Sequence, residues 1–207
     1  MLYPAIHSFC HELNQHFDEI PEDRKTILQQ ISAYILGQQQ TGKPIQLMYV
    51  CTHNSRRSHF GQIWAAVAAR FYGIEQVETF SGGTEATAFN PNAIAVLRRI
   101  GFEVETTDKG HNPSYKVKFG SEEATHCFSK VYDHPSNPST HFAAIMTCSD
   151  AEENCPFIPG VALRIGTTYD DPKEFDNTPL QDAKYDERCR QIALETCYVF
   201  ASVTSHS

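Results

Sequence analysis

The stretch from Gln46 to Ser58 constrains this chain more than any other: an apolar run, Leu47-Met48-Tyr49-Val50, ends on Cys51, a polar loop follows, and a helix begins at Ser58. Only Thr52, His53, Asn54, Ser55 and Arg56 separate Cys51 from Arg57. A loop that short can curl into a ring with its backbone N–H groups pointing inward, and the helix behind it adds its positive end. The product is an oxyanion cradle. Arg57 closes it with a planar guanidinium able to make paired hydrogen bonds to two oxygens of a tetrahedral anion, which a lysine cannot do. The same positive field favours the thiolate of Cys51, the form in which a cysteine is a nucleophile.

This Cys-x5-Arg-Ser segment, placed after a first parallel-type strand, resembles the low-molecular-weight protein tyrosine phosphatase superfamily, which includes the thioredoxin-linked arsenate reductases. The resemblance implies that the ring from Thr52 to Ser58 holds a phosphate-like or arsenate oxyanion, that Ser58 hydrogen-bonds the Cys51 sulfur, and that Asn54 steadies the loop through its amide. Two positions depart from the pattern. Relatives usually carry glycine at the place of His53, so His53 either tolerates an unusual backbone angle or shifts the loop. They often carry cysteine at the place of Arg56, which here is expected to add positive charge beside the anion.

Residues 1–43 precede the first strand and look helical, forming an N-terminal helical extension to a catalytic domain over 44–207. Pro21-Glu22-Asp23 suits a helix start, Ile27, Leu28, Ile31, Tyr34 and Ile35 repeat with helical spacing, and Thr41-Gly42 marks the exit. The extension is expected to be a pair of helices packed on the sheet, or else a dimer or partner surface. After the cradle, Phe60, Ile63, Trp64, Val67 and Phe71 keep helical spacing as far as Gly73. A short strand at Val77-Glu78-Thr79-Phe80 runs into Ser81-Gly82-Gly83, and Asn90-Pro91 opens another helix ending at Gly101. This order also resembles the second strand and second helix of the same superfamily.

Between Asn112 and Thr140 the pattern alternates, with arms at Tyr115–Phe119 and His126–Tyr132, which predicts a hairpin or irregular structure. Two further apolar runs, Phe142–Met146 and Val161–Ile165, complete the strands, and a last helix presents Cys189, Ile192, Ala193, Thr196, Val199, Phe200 and Val203 on one face. Strands alternating with helices in this way predict an α/β fold of three layers, α/β/α, around a central, mostly parallel four-stranded sheet.

The net charge of −8 argues against nucleic acid as a partner and makes anion binding a local matter. No apolar run is long enough to span a membrane. The start of the chain lacks a secretory signal, and seven irregularly spaced cysteines do not resemble a disulfide framework. A cytoplasmic location is expected.

Two more segments bear on chemistry. Cys148 and Cys155-Pro156 enclose six residues. In a continuous helix their Cα atoms would lie about 10 Å apart, beyond the roughly 4.4–6.8 Å of a disulfide, so bonding them requires the segment to loop out. Zinc is a competing use, but six intervening residues exceed the usual two to four and no second pair at metal spacing is apparent; a coincidental pair of thiols is another. By resemblance, arsenate reductases carry a Cys-x6-Cys-Pro redox segment at this place. Asp171-Pro172 resembles the Asp-Pro at which the superfamily places its general acid. The resemblance thus implies arsenate reduction through Cys51, Cys148 and Cys155, with Asp171 as acid, thioredoxin as reductant and no bound cofactor or metal. A phosphatase acting on phosphotyrosine or another phosphomonoester needs only Cys51, Arg57 and Asp171. A non-catalytic redox or oxyanion sensor would need only the cradle.

Overall fold

Residues 1–106, 108–154 and 158–205 are described by a computed structural model. In chain order they form α1 (Pro4–Asn14), α2 (Glu22–Thr41), β1 (Ile45–Cys51), α3 (Arg57–Tyr72), β2 (Val77–Gly83), α4 (Pro91–Ile100), β3 (Glu103–Glu105), β4 (Tyr115–Lys118), β5 (Ala124–Cys127), β6 (Phe142–Met146), α5 (Ser149–Asn154), β7 (Val161–Gly166) and α6 (Gln181–Thr204), with a 3-10 turn at Pro172–Phe175.

The four apolar strands pair in the order β2-β1-β6-β7, and every pair is parallel. Burial on both faces explains why the two inner strands, but for Gln46 near the start of β1, are near-continuous apolar runs rather than alternating. The two faces are nonetheless distinct, because successive side chains point to opposite sides. Leu47, Tyr49, Ala143, Ile145 and Ile165 join the helices α2, α3 and α6 in one large cluster. Met48, Val50, Ala144 and Met146 meet Ala151 of the short α5 and Ile158 on the other side. The expected three layers are present, with one face covered much more thickly than the other.

Local sequence explains the helix ends. Gly42, Gly73 and Gly101 take left-handed φ values of 64°, 68° and 114° at the C-caps of α2, α3 and α4, the conformation that glycine adopts without steric penalty. Asn90 caps α4, its Oδ1 accepting the Asn92 N–H at 2.8 Å, with Pro91 in the first turn. Of the two helices in residues 1–43, α2 packs against β1, β7 and α6, whereas α1 lies against α3, α4 and α6. The pair thus divides, α2 packing on the sheet and α1 chiefly on other helices.

The predicted hairpin is present, but it belongs to a small antiparallel sheet, β3-β4-β5, in which Lys118 pairs with Ala124. Its second arm ends at Cys127, earlier than the alternation suggested, because the following residues leave the ladder and Val131 bridges to Gly83 at the end of β2. The chain's first residues are tied to this hairpin by bonds from Tyr3 N–H to the Phe119 carbonyl and from Ser121 N–H to the Met1 carbonyl. Among the described residues, no helix is long and apolar enough to cross a membrane.

Candidate active site

Cys51 is the last residue of β1, and Arg57 is the first of α3. Between them the chain turns at Asn54, whose φ of 44° is left-handed. The unusual angle expected at His53 thus falls one residue later, on a residue type whose short polar side chain tolerates it. Asn54 Nδ2 donates to Ser58 Oγ at 2.9 Å, and its Oδ1 accepts the Lys130 N–H at 2.9 Å. Ser58 Oγ lies 3.1 Å from Cys51 Sγ. Because the amide is a donor toward Ser58, the serine's own proton is left for the sulfur. Asn54 and Ser58 together hold Cys51 by a hydrogen bond that strengthens when the sulfur is ionised.

The loop carbonyls face outward. Thr52 O accepts the Glu85 N–H at 2.8 Å, His53 O accepts the hydroxyls of Thr87 at 3.0 Å and Ser129 at 2.9 Å, and Ser55 O accepts the Asn90 N–H at 3.0 Å. This leaves the N–H groups of the loop for the interior of the ring. A Cβ on Gly83 would sit 2.3 Å from Glu85 O, 2.7 Å from Thr52 O and 2.8 Å from Asn54 N, so glycine is required where β2 passes under the cradle. The side chains of His53 and Ser55 also point outward, His53 Nε2 lying 3.7 Å from Glu85 and Ser55 Oγ donating to Ala88 O at 2.7 Å.

Arg56 does not add charge to the ring. Its Nε donates to Tyr185 Oη at 2.7 Å and its Nη2 to Asp176 at 3.3 Å, while Tyr185 Oη donates to the other Asp176 oxygen at 2.7 Å. An opposite charge and a phenol hold this guanidinium against α6. Arg57 faces a different partner set: Nη1 donates to the Tyr169 carbonyl at 2.7 Å and Nη2 to Asp171 Oδ2 at 2.5 Å. Its buried Nε has no partner among the described residues. Asp171 Oδ1 accepts the Lys173 N–H at 3.0 Å, capping the 3-10 turn. Asp170 turns away, 93% exposed and 3.3 Å from Arg188.

The second thiol lies beside the cradle. Val50 and Met146 are register partners on neighbouring parallel strands, so Cys51 and Cys148 emerge close together at the same end of the sheet. Cys148 is buried, with its Sγ 3.4 Å from Thr52 Oγ1 and accepting the Ala151 N–H at 3.4 Å. A cavity of about 310 Å³ includes Arg57, Cys148, Tyr169 and Asp171 in its wall. It opens at the carboxyl ends of β1 and β6, where the strand order reverses, the general position of ligand sites in open α/β sheets. Cys155, the third thiol singled out by the sequence, lies outside the described residues. No group of three or more His, Cys, Asp or Glu among the described residues could hold a metal.

No protein-family model matches the chain. An arsenate reductase of Staphylococcus epidermidis is 26% identical over 126 residues, covering 61% of this chain and 77% of the relative. One from Bacillus licheniformis is 26% identical over 155 residues, covering 75% of this chain and 94% of the relative. Among solved structures, an arsenate reductase in the phosphate-binding state superposes with a TM-score of 0.53 at 15% identity, over 77% of this chain and 98% of its own. A low-molecular-weight phosphotyrosine phosphatase from Vibrio cholerae gives 0.50 at 15% identity, over 79% of this chain and 99% of its own. The chain is thus similar in sequence to arsenate reductases and shares the fold of arsenate reductases and low-molecular-weight phosphatases. Those structures are covered almost end to end while this chain is not, so it carries more than the fold it shares with them.

Some of what supports the cradle in this chain had no sequence signal. Ser129 Oγ, besides its bond to His53 O, accepts the Thr87 N–H at 2.7 Å, and Asn112 brackets Ser129 by accepting its N–H at 3.1 Å and donating to its carbonyl at 2.7 Å. The Lys130 carbonyl accepts the Gly83 N–H at 2.9 Å. Behind the loop, Ser81 Oγ donates to Gln62 Oε1 at 2.6 Å and lies 3.2 Å from His59 Nδ1. The serine proton being committed to Gln62, His59 carries its own proton on Nδ1 in this network. Burial first, and then the Lys130 charge, push His59 down to about 3, so it is neutral. A neutral ring at this point keeps a second cation away from the buried ammonium of Lys130, which sits 4.5 Å from the centre of the Phe128 ring.

Proposed function

We propose that this chain is an arsenate reductase, in which Cys51 is the nucleophile, the N–H groups from Thr52 to Ser58 and the Arg57 guanidinium hold the oxyanion, and Asp171 is the acid. The observation that carries the reading is the position of Cys148, a buried thiol at the end of the strand next to Cys51 and within 3.4 Å of a cradle side chain. A phosphatase has no use for it in catalysis. The partnerless Nε–H of Arg57 is a donor left for substrate oxygen.

In this reading Cys51 attacks arsenic, and Asp171 protonates the departing hydroxide, which leaves as water. Cys148 then attacks the Cys51 sulfur. The electron pair of the S–As bond stays on arsenic, which leaves as arsenite, and a Cys51–Cys148 disulfide remains. Cys155 attacks Cys148, restoring the Cys51 thiolate and moving the disulfide outward, where the dithiol of thioredoxin reduces it. The cycle requires a compartment that keeps thiols reduced, and we place it in the cytoplasm.

Hydrolysis of phosphomonoesters such as phosphotyrosine is the second reading, since its first covalent step uses the same Cys51, Arg57 and Asp171. A single dose of arsenate followed by peptide mass spectrometry separates the two. Cys155→Ser should complete one turnover and accumulate a Cys51–Cys148 disulfide, and Cys148→Ser should stop with arsenic on Cys51. Both should retain aryl phosphatase activity. Normal thioredoxin-dependent reduction by both variants, or no Cys148–Cys155 linkage in wild type after turnover, would leave the phosphatase reading in place.

A further inference from the structure

The loop that carries Asp171 is gripped from behind by a residue of the N-terminal extension. Arg24, in the first turn of α2, donates to Glu195 Oε2 of α6 from Nε at 2.9 Å and lies 2.8 Å from the same oxygen through Nη2. The same Nη2 reaches the Thr168 carbonyl at 3.4 Å, and the guanidinium carbon stands 4.9 Å from the centre of the Tyr169 ring. Tyr169 Oη donates to that Glu195 oxygen at 2.7 Å. Glu195 is 4% and Tyr169 8% exposed, and Arg24 covers them with 16% of its own side chain exposed. From Tyr169 the contacts continue into the site, through its carbonyl to Arg57 Nη1 at 2.7 Å and through Asp171 to Arg57 Nη2 at 2.5 Å.

A buried ion pair is weak evidence for stability, because desolvation offsets much of the attraction. What this one supplies is geometry. A planar guanidinium is held at once by a carboxylate edge, a ring face and a carbonyl, and these three determine where Thr168 and Tyr169 lie. Burial, followed by the Glu195 carboxylate, holds the Tyr169 hydroxyl far above the ordinary tyrosine range, so it remains a donor throughout.

We propose that Arg24 is a positioning residue of the active site, setting through Glu195 and Tyr169 the placement of both the oxyanion-binding Arg57 and the acid Asp171. It rests on the roles given to Arg57 and Asp171 above. The N-terminal extension then takes part in catalysis without touching substrate.

The test uses full-length Arg24→Gln, Arg24→Lys and Tyr169→Phe proteins and two readouts. The first is kcat/KM for two aryl phosphates, phenyl phosphate, whose leaving group must be protonated, and 2,4-dinitrophenyl phosphate, whose leaving group need not be. Displacing the acid by Arg24→Gln should lower kcat/KM for phenyl phosphate by about 10–10²-fold, and for the dinitrophenyl ester only by the several-fold that a displaced Arg57 costs in oxyanion binding. Arg24→Lys, which keeps the charge but loses the flat face, should recover part of the loss. The second readout is the concentration of inorganic phosphate that protects Cys51 from alkylation, which should rise several-fold in Arg24→Gln. A folded Arg24→Gln protein that loses rate equally on both esters, or that loses none, overturns the proposal. If wild type hydrolyses neither ester, the phosphatase reading fails by itself, and unchanged phosphate protection in Arg24→Gln then overturns the positioning role. Should Arg24→Gln not fold, Tyr169→Phe, which removes a single hydroxyl, must show the same selective loss; the absence of that loss is equally fatal.

Discussion

A histidine buried next to a lysine cannot take up a proton without disturbing its surroundings, and His59 makes that cost measurable. In the unfolded chain it protonates near 6.5, whereas in the fold it is pushed down to about 3. The unfolded chain therefore binds the extra proton between those values. The contribution of His59 to stability is complete above about pH 6.5 and is lost as pH falls, at about 1.4 kcal/mol per pH unit. His59→Gln should flatten this part of the profile, which urea unfolding at a series of pH values between 7 and about 4 would check. Arg56 illustrates the opposite case at the same scale, a charge matched in place by Asp176 and Tyr185. Its guanidinium supports the cradle's entry into α3 and is turned away from the ring.

At the scale of elements, the anion loop is a ring with an outer shell. The shell is supplied by the loop between β2 and α4, by Asn112 ahead of β4 and by the segment that follows β5. Asn112 holds Ser129 by both backbone groups, and Ser129 holds His53. Asn112→Ala leaves both Ser129 groups unpaired and should cost about 1–3 kcal/mol of stability. The loss of stability should be accompanied by weaker protection of Cys51 by phosphate, measured side by side with unfolding. The loop after β7 makes a second element-level prediction. Asp171→Asn should slow aryl phosphate hydrolysis by about 10²–10⁴-fold, the range for a lost acid–base group, while Asp170→Asn, altering a side chain directed to solvent and Arg188, should have much less effect. Equal losses in steady-state assays would remove Asp171 from the role of acid.

At the scale of the whole molecule, residues 1–43 contribute to the main core. Ile6, Cys10 and Leu13 of α1 and Leu28, Ile31 and Ile35 of α2 are in the same cluster as Leu47, Ala143 and Ile145 of the sheet. Each fully buried aliphatic side chain is worth about 1.5–3 kcal/mol, and the net stability of a domain is about 5–15 kcal/mol, so removing these residues exceeds what the remainder can lose. A chain beginning at residue 44 should fail to give a cooperative thermal transition or to remain monodisperse on gel filtration. The expected division into an extension and a catalytic domain is therefore proposed as a division of ancestry and chemistry, with folding shared across it.

The sequence by itself determined the strand, the cysteine, the five-residue ring and the helix that follows, because the inward-facing N–H groups and the helix end depend on residues adjacent along the chain. It also determined the α/β alternation and the helix stops at Gly42, Gly73 and Gly101, which are local in the same sense. The tertiary structure alone decided that Arg56 turns to Tyr185, 129 positions away, and that Arg24 reaches Glu195, 171 positions away. It also decided that Ser129 supports His53, 76 positions away. Those pairings depend on which face each helix presents once the core has closed. No periodicity or spacing encodes that, since a charged side chain on a helix has the same local signature whether it faces water or a buried carboxylate.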